Sequence, residues 1–103
     1  MAICQIFDNP DLTADQWGQL EKYVRATGPV LPQGARLVVA GPADSGWRVI
    51  SVWDSEDARD QFVAERLTPA YEHTGLSLKN VTRTTFDVHT LVAGDLTGTP
   101  HTV

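Results

Sequence analysis

Several side chains in this 103-residue sequence can move a proton or hold an oxygen. Tyr71 and His73 stand two residues apart, just after Pro69. An imidazole titrates near pH 6.5 and can take or give a proton at neutrality. A phenol can hold a phenolic, enolic or carbonyl oxygen in place. Such a pair suits a substrate that loses a proton while its oxygen is kept oriented. The other reading of His73, beside Glu72, is a solvated residue favoured by a helix C-terminus. Arg66 follows Phe62 by one helical turn and offers an anchor for a carboxylate or an oxyanion. Its alternative is a surface ion pair with Asp60. Trp47, Ser51 and Trp53 share one face of a strand. With Phe62 they offer an aromatic wall for a planar ligand, or they serve as core or dimer packing.

Arg83, Thr85, Asp87 and His89 alternate along one face of the last strand. A Ser-His-Asp arrangement would have to recruit Ser51, the one serine within a strand. A polar strip at a sheet edge or dimer seam is the plainer reading. The histidines at 73, 89 and 101 are far apart, no His-x-x-x-His pair occurs, and Cys4 is the single cysteine, so no metal site is expected. His101 lies in the tail and takes no role. There is no Gly-x-Gly-x-x-Gly and no P-loop, and Gly41-Pro42 and Gly46 serve a turn. The expectation is a site without a bound cofactor.

Hydrophobic residues make up 42% of the chain and charged residues 20%, the balance of a globular domain. At this length about 65% of the unfolded surface is buried, enough for one core without staples. The net charge of −5 is the wrong sign for a phosphate-backbone binder. A single cysteine permits no intrachain disulfide and fits a reducing, cytoplasmic setting. The N-terminus MAICQIFDNP lacks the basic and apolar regions of a signal peptide, and no stretch reaches the ~18 apolar residues of a membrane span. Cys4, inside an apolar run, reads as a small buried hydrophobe.

The elements that must position these groups follow from local signals. Residues 2–8 read as a strand stopped by Asn9-Pro10-Asp11. Thr13 and Gln16 form a capping box, Leu12 and Trp17 a hydrophobic staple, and Trp17, Leu20 and Val24 recur at helical spacing. This predicts a helix over 14–27, closed by Gly28 as a left-handed residue and by Pro29. Residues 35–41 and 47–53 read as a hairpin with a loop of about five residues. Asp54 and Ser55 both offer an N-cap, with Glu56 and Asp57 in the first turn. That second helix is expected to be interrupted by Pro69, with 69–74 as a last turn ended by Gly75. Residues 79–91 read as a long final strand, and the tail from 93 to 103 is expected to be mobile.

The order β-α-β-β-α-β is the ferredoxin-like arrangement, α+β with an antiparallel four-stranded sheet and two helices on one face. A sheet with one wet face should alternate apolar and polar. Here Trp47, Val49 and Trp53 oppose Ile50 and Val52, Leu37 and Val39 oppose Val38 and Ala40, and Ile3 and Phe7 oppose Cys4 and Ile6. Helices cover one face only, so the second apolar face is expected to meet its counterpart in a second copy. The expected assembly is a homodimer closed into a barrel, with a single domain over 1–92.

The stretch GWRVISVWDSEDARDQFVAERLTPA (46–70) resembles small proteins of the dimeric α+β barrel superfamily, in particular the antibiotic biosynthesis monooxygenase-like proteins. The pieces that carry the resemblance are the Gly46-Trp47 strand start, the Val52-Trp53 strand end, the acidic cap at 54–57, and Phe62 with Arg66-Leu67 and Pro69. In order and length it runs from residue 1 to about 92. It implies a pocket between sheet and helices within each subunit. Reactions in the superfamily include cofactor-free oxygenation, haem degradation, decarboxylation and isomerisation, so the fold alone does not fix the chemistry. Oxygen-activating members use a Trp on the second helix with an Asn on the first strand. This chain has no Trp between 54 and 75, and Asn9 stands at the end of its strand. The expectation is a cofactor-free enzyme for an aromatic or polyketide-like small molecule, monooxygenase-like or an isomerase or cyclase. His73 is its base, Tyr71 and Arg66 orient the substrate, and Trp47, Ser51, Trp53 and Phe62 shape the wall. The alternatives are a non-catalytic ligand-binding or stress-responsive dimer, and haem binding or degradation with His73 as axial ligand.

Overall fold

Thr13 starts the first helix as its side chain dictates. Its hydroxyl accepts from the Gln16 N–H at 3.2 Å while the Gln16 side chain accepts from the Thr13 N–H at 2.9 Å. Two of the orphan amides of the first turn are thereby satisfied. In the computed structural model, which describes residues 1–44 and 46–94, strand β1 (Ile3–Asn9) leads into this helix, α1 (Ala14–Thr27). Strands β2 (Ala35–Ala43) and β3 (Gly46–Trp53) follow as a hairpin. The second helical region comprises α2 (Glu56–Phe62), a π-helical turn (Val63–Leu67) and α3 (Thr68–Thr74). Strand β4 (Thr82–Asp87) completes an antiparallel sheet of order β2-β3-β1-β4. This is the expected α+β, ferredoxin-like architecture. The expected mobile tail falls, from residue 95 onward, outside the described residues.

Four local expectations are corrected. Pro69 does not break the second helix. Its ring would collide with the Glu65 carbonyl in a regular helix, and the preceding turn widens instead, with the Thr68 N–H reaching the Val63 carbonyl. Gly28 is not left-handed, for its φ is 167°, ordinary extended backbone. Its lack of a side chain serves packing, since a Cβ there would lie 2.9 Å from the Arg66 guanidinium carbon. The hairpin is tighter than expected, because Ala43 pairs with Gly46 and leaves two residues between the strands. Strand β4 is six residues long and exposed throughout, and pairing ends at Asp87 rather than at residue 91. Two other expectations hold. Ser55 rather than Asp54 caps α2, accepting from the Ala58 N–H, while Asp54 pairs with Arg36. Gly75, at φ +70°, ends α3.

The register sorts the sheet residues into two faces. Asn9 pairs with Trp47, Phe7 with Val49, Gln5 with Ser51 and Ile3 with Trp53. This face carries the helices: Phe7 and Trp47 pack in one core with Leu20 of α1 and Ala70 and Tyr71 of α3. The alternate residues Cys4, Ile6, Leu37, Val39, Ile50, Val52 and Phe86 form the opposite face. At its flanks Val39 is 52% exposed and Phe86 51%. Burial pushes the Cys4 thiol above its ordinary range, so the group stays protonated and unreactive at neutral pH.

Candidate functional site

The helix-bearing face of the sheet holds two groups of the residues of interest, at opposite ends of β3. Trp47 and Trp53 are six residues apart, about 20 Å along an extended strand.

At the Trp47 end, a buried polar node joins three elements. Asn9, the last residue of β1, is 0% exposed. Its amide donates to the Tyr71 hydroxyl at 3.4 Å and to the Ser77 carbonyl at 3.1 Å, and its side-chain oxygen accepts from the Asp11 N–H at 3.1 Å. Tyr71, on α3, is 4% exposed. Burial raises its phenol above the ordinary value, against smaller opposing effects of the Asn9 hydrogen bond and the Arg83 charge. Trp47 stacks obliquely on Trp17 with ring centroids 5.8 Å apart. Its indole Nε1 is buried without a partner among the described residues. Arg83, paired in register with Phe7, places its guanidinium 5.4 Å from that ring.

At the Trp53 end, the Trp53 indole donates to the Ser51 hydroxyl at 2.9 Å, and both residues are buried. The Trp53 and Phe62 rings lie 5.4 Å apart. Beside them Arg59 donates to the Gln5 side chain at 3.0 Å and to the Thr85 hydroxyl at 3.3 Å. Beyond Phe62, a cleft of about 150 Å³ opens between α2 and the connection from α1 to β2. Arg66 lines it, with its guanidinium 5.5 Å from the Phe62 centroid.

Several sequence-based assignments change with this geometry. Tyr71 and His73 do not form a pair. Two residues apart in a helix they point about 200° apart, Tyr71 into the core and His73 outward, where its ring lies 4.9 Å from that of Tyr23. Arg66 makes no ion pair with Asp60, which Arg59 takes instead. Its Nη2 donates to the Val24 and Pro29 carbonyls at 2.6 and 2.7 Å and so closes the C-terminal end of α1. Ser51 is buried against Trp53, whose indole is its side-chain hydrogen-bond partner among the described residues. His89 lies beyond β4 and contacts Thr90 rather than Asp87. Among the described residues no group of three or more His, Cys, Asp or Glu gathers that could hold a metal, and no helix is long and apolar enough to cross a membrane. The residue that sequence reasoning set aside is Asn9, read as a strand stop and as lying at the end of its strand rather than inside it.

The bonds of Arg66 give a stability prediction. Exchanging Arg66 for Met keeps the stem but removes two charge-assisted bonds to carbonyls of a helix terminus. Urea unfolding should show a loss of about 1–2 kcal/mol, with α1 amides the first to lose hydrogen-exchange protection. An unchanged midpoint would show that water replaces the guanidinium at no cost.

Solved structures that share this architecture include the following two. Rv0793 from Mycobacterium tuberculosis matches with a TM-score of 0.64 and 15% identity, over 90% of this chain and 100% of that one. A "putative antibiotic biosynthesis monooxygenase" from Deinococcus radiodurans matches with a TM-score of 0.56 and 18% identity, over 90% of this chain and 97% of that one. No family model matches the sequence, and neither does any curated protein. At these identities the likeness is one of fold, and it is the likeness that the 46–70 stretch implies. The chain therefore has the α+β, ferredoxin-like fold of these two proteins.

Proposed function

We propose that this chain is a cofactor-independent enzyme acting on an aromatic or polyketide-like small molecule between sheet and helices, with Tyr71 as its proton-handling group. The observation that carries this reading is the node of Asn9, Tyr71 and Trp47. A face built for stability alone would place aliphatic groups there, because a buried polar atom without a partner costs about 1–3 kcal/mol. Here an indole N–H is buried unpartnered. A phenol whose oxygen already accepts from Asn9 packs in the same core cluster as that indole. Both are donors, and both adjoin Asn9, Tyr71 through its hydrogen bond and Trp47 through the strand register. Two such donors suit the oxygen of a planar substrate as charge develops on it. Because burial favours the neutral phenol, Tyr71 acts as donor, and substrates that readily reach a phenolate or enolate fit it best. The description of the Deinococcus radiodurans protein as a monooxygenase lends support to oxygenation over isomerisation.

The test is a screen of phenols and anthrones for oxygen uptake, with products identified by mass spectrometry and the purified protein used without added metal or flavin. Saturable, substrate-dependent turnover that survives a chelator is expected. A panel that gives neither oxygen uptake nor any isomerised product would remove the reading.

The second part of this reading is a homodimer formed through the face that no helix covers. That face carries Ile6, Leu37, Val39, Ile50 and Phe86, a contiguous apolar surface of a kind that monomers seldom leave in water. Sedimentation at micromolar concentration should give twice the subunit mass. Val39→Asp, at the exposed flank of the patch, should weaken association at least about 100-fold through a charge buried without a partner. A wild-type monomer at tens of micromolar would rule the interface out.

A further inference from the structure

The cleft beside Phe62 has a cation in its lining with a donor unused. Of the three guanidinium nitrogens of Arg66, Nη2 is committed to the Val24 and Pro29 carbonyls. Nε is buried without a partner. Nη1 has no hydrogen-bond partner among the described residues and is not buried, so it is the donor left facing outward. No carboxylate lies within ion-pair distance of Arg66 among the described residues, Asp60 being held by Arg59. Burial also lowers the Arg66 pKa, the mark of a charge partly stripped of water. The two short bonds to carbonyls hold the group still, and the bare Cα of Gly28 lets it lie against the main chain. A ligand would meet a donor already oriented and would not have to order it.

The walls define the rest. Pro29 and Pro32 stand on one side and Ala58 and Phe62 on the other, with Gln61 and Glu65 also lining the cleft. A volume of about 150 Å³ is that of a cavity known to accept a benzene ring. It is too small for a polycyclic molecule. We propose that this cleft is a binding site for a single-ring ligand whose carboxylate or carbonyl oxygen accepts from Arg66 Nη1, with the ring against Pro29, Pro32 and Phe62. The site is separate from the Tyr71 node, and the proposal does not rest on the reaction proposed there.

The experiment is an NMR titration of the whole chain with benzoate, benzamide and benzylamine. Benzoate, benzamide or both should produce saturable shifts centred on Gly28, Phe62 and the Arg66 Nε–H. For a ligand of this size a dissociation constant on the order of 1–10 mM is expected. Preference for benzoate identifies a carboxylate as the recognised group, and equal binding of the two identifies a carbonyl oxygen. Benzylamine, which brings a cation to a cation, should bind at least about tenfold more weakly. Arg66→Met alone would confound binding with the loosening of α1. Gln61→Trp therefore serves as the second variant: it replaces an exposed residue of the cleft, should leave the thermal midpoint unchanged, and should weaken binding at least about tenfold. Linear shifts without saturation, equal binding of benzylamine, shifts centred elsewhere, or full binding by Gln61→Trp would each overturn the proposal.

Discussion

Tyr71→Phe should lower turnover by about 10²–10⁴, the range that a positioned acid or base supplies, while KM changes little. The variant keeps the ring that packs with Phe7, Leu20 and Trp47 and loses only the hydroxyl. The bond that the hydroxyl accepts from Asn9 is long, 3.4 Å, and Asn9 retains its shorter bonds to Ser77 and Asp11. Fold and substrate wall therefore survive, and the lost quantity is the proton at the oxygen. His73→Ala provides the contrast. That imidazole is exposed against Tyr23 and away from the node, so its removal should leave the rate within about twofold, since surface changes of this kind have small effects. The pH profile should show no imidazole limb near 6.5 and should fall only above the ordinary tyrosine range, near 10. A Tyr71→Phe protein that keeps more than half its rate would place the chemistry elsewhere.

The same phenol links stability to alkaline pH. Its folded pKa is raised by burial, so the unfolded chain releases the proton first as pH rises. Its contribution to stability is complete below the unfolded value, about 10, and is lost as pH climbs through the folded value. Tyr71→Phe should flatten the alkaline limb of a stability curve measured by denaturant unfolding.

What the sequence disclosed and what it withheld follow one division. Signals satisfied within a few residues were legible. Thr13 and Gln16 close their capping box across three positions, and the helix bounds 14–27 match the structure. The alternation of Trp47, Val49, Ser51 and Trp53 fixes a shared face because the strand period is two. The i to i+4 spacing of Phe62 and Arg66 does bring ring and guanidinium together. Signals whose partners lie far along the chain were not legible. Asn9 reads as a strand stop because its side-chain oxygen turns back to Asp11. Its amide points inward to residues 62 and 68 positions away. The carbonyls that Arg66 satisfies are 42 and 37 positions away. Pro69 announces a defect in the helix. Whether the chain breaks or widens there depends on Ala70 and Tyr71 being held in the core, which local propensity does not encode. His73 and Tyr71 were separable in principle: once 68–74 is helical, two residues of spacing put them on different sides.

Gly46→Ala should cost about 2–6 kcal/mol. Two effects add. The residue sits at φ +111°, where an L side chain is strained, typically by about 1–3 kcal/mol. A Cβ there would also stand 2.5 Å from the Pro10 Cα and 2.6 Å from the Asn9 carbonyl oxygen. Both are main-chain atoms, and proline stiffens the segment that would have to move. Overpacking of this sort costs a further ~1–3 kcal/mol. Relief requires β3 to draw away from β1 where Asn9 pairs with Trp47, so the node opens as the strand retreats. For a domain near 100 residues such a loss lowers the thermal midpoint by roughly 10–30 °C, readable by circular dichroism. Gly18→Ala is the control. Nothing lies within 4 Å of its added methyl on α1, and alanine there should stabilise by about 0.5–1 kcal/mol. Should Gly46→Ala melt within a few degrees of the parent, the start of β3 yields easily. Trp47 would then not be held against Asn9 by the backbone, and the Gly46-Trp47 strand start would need another explanation than the close approach of β3 to the end of β1.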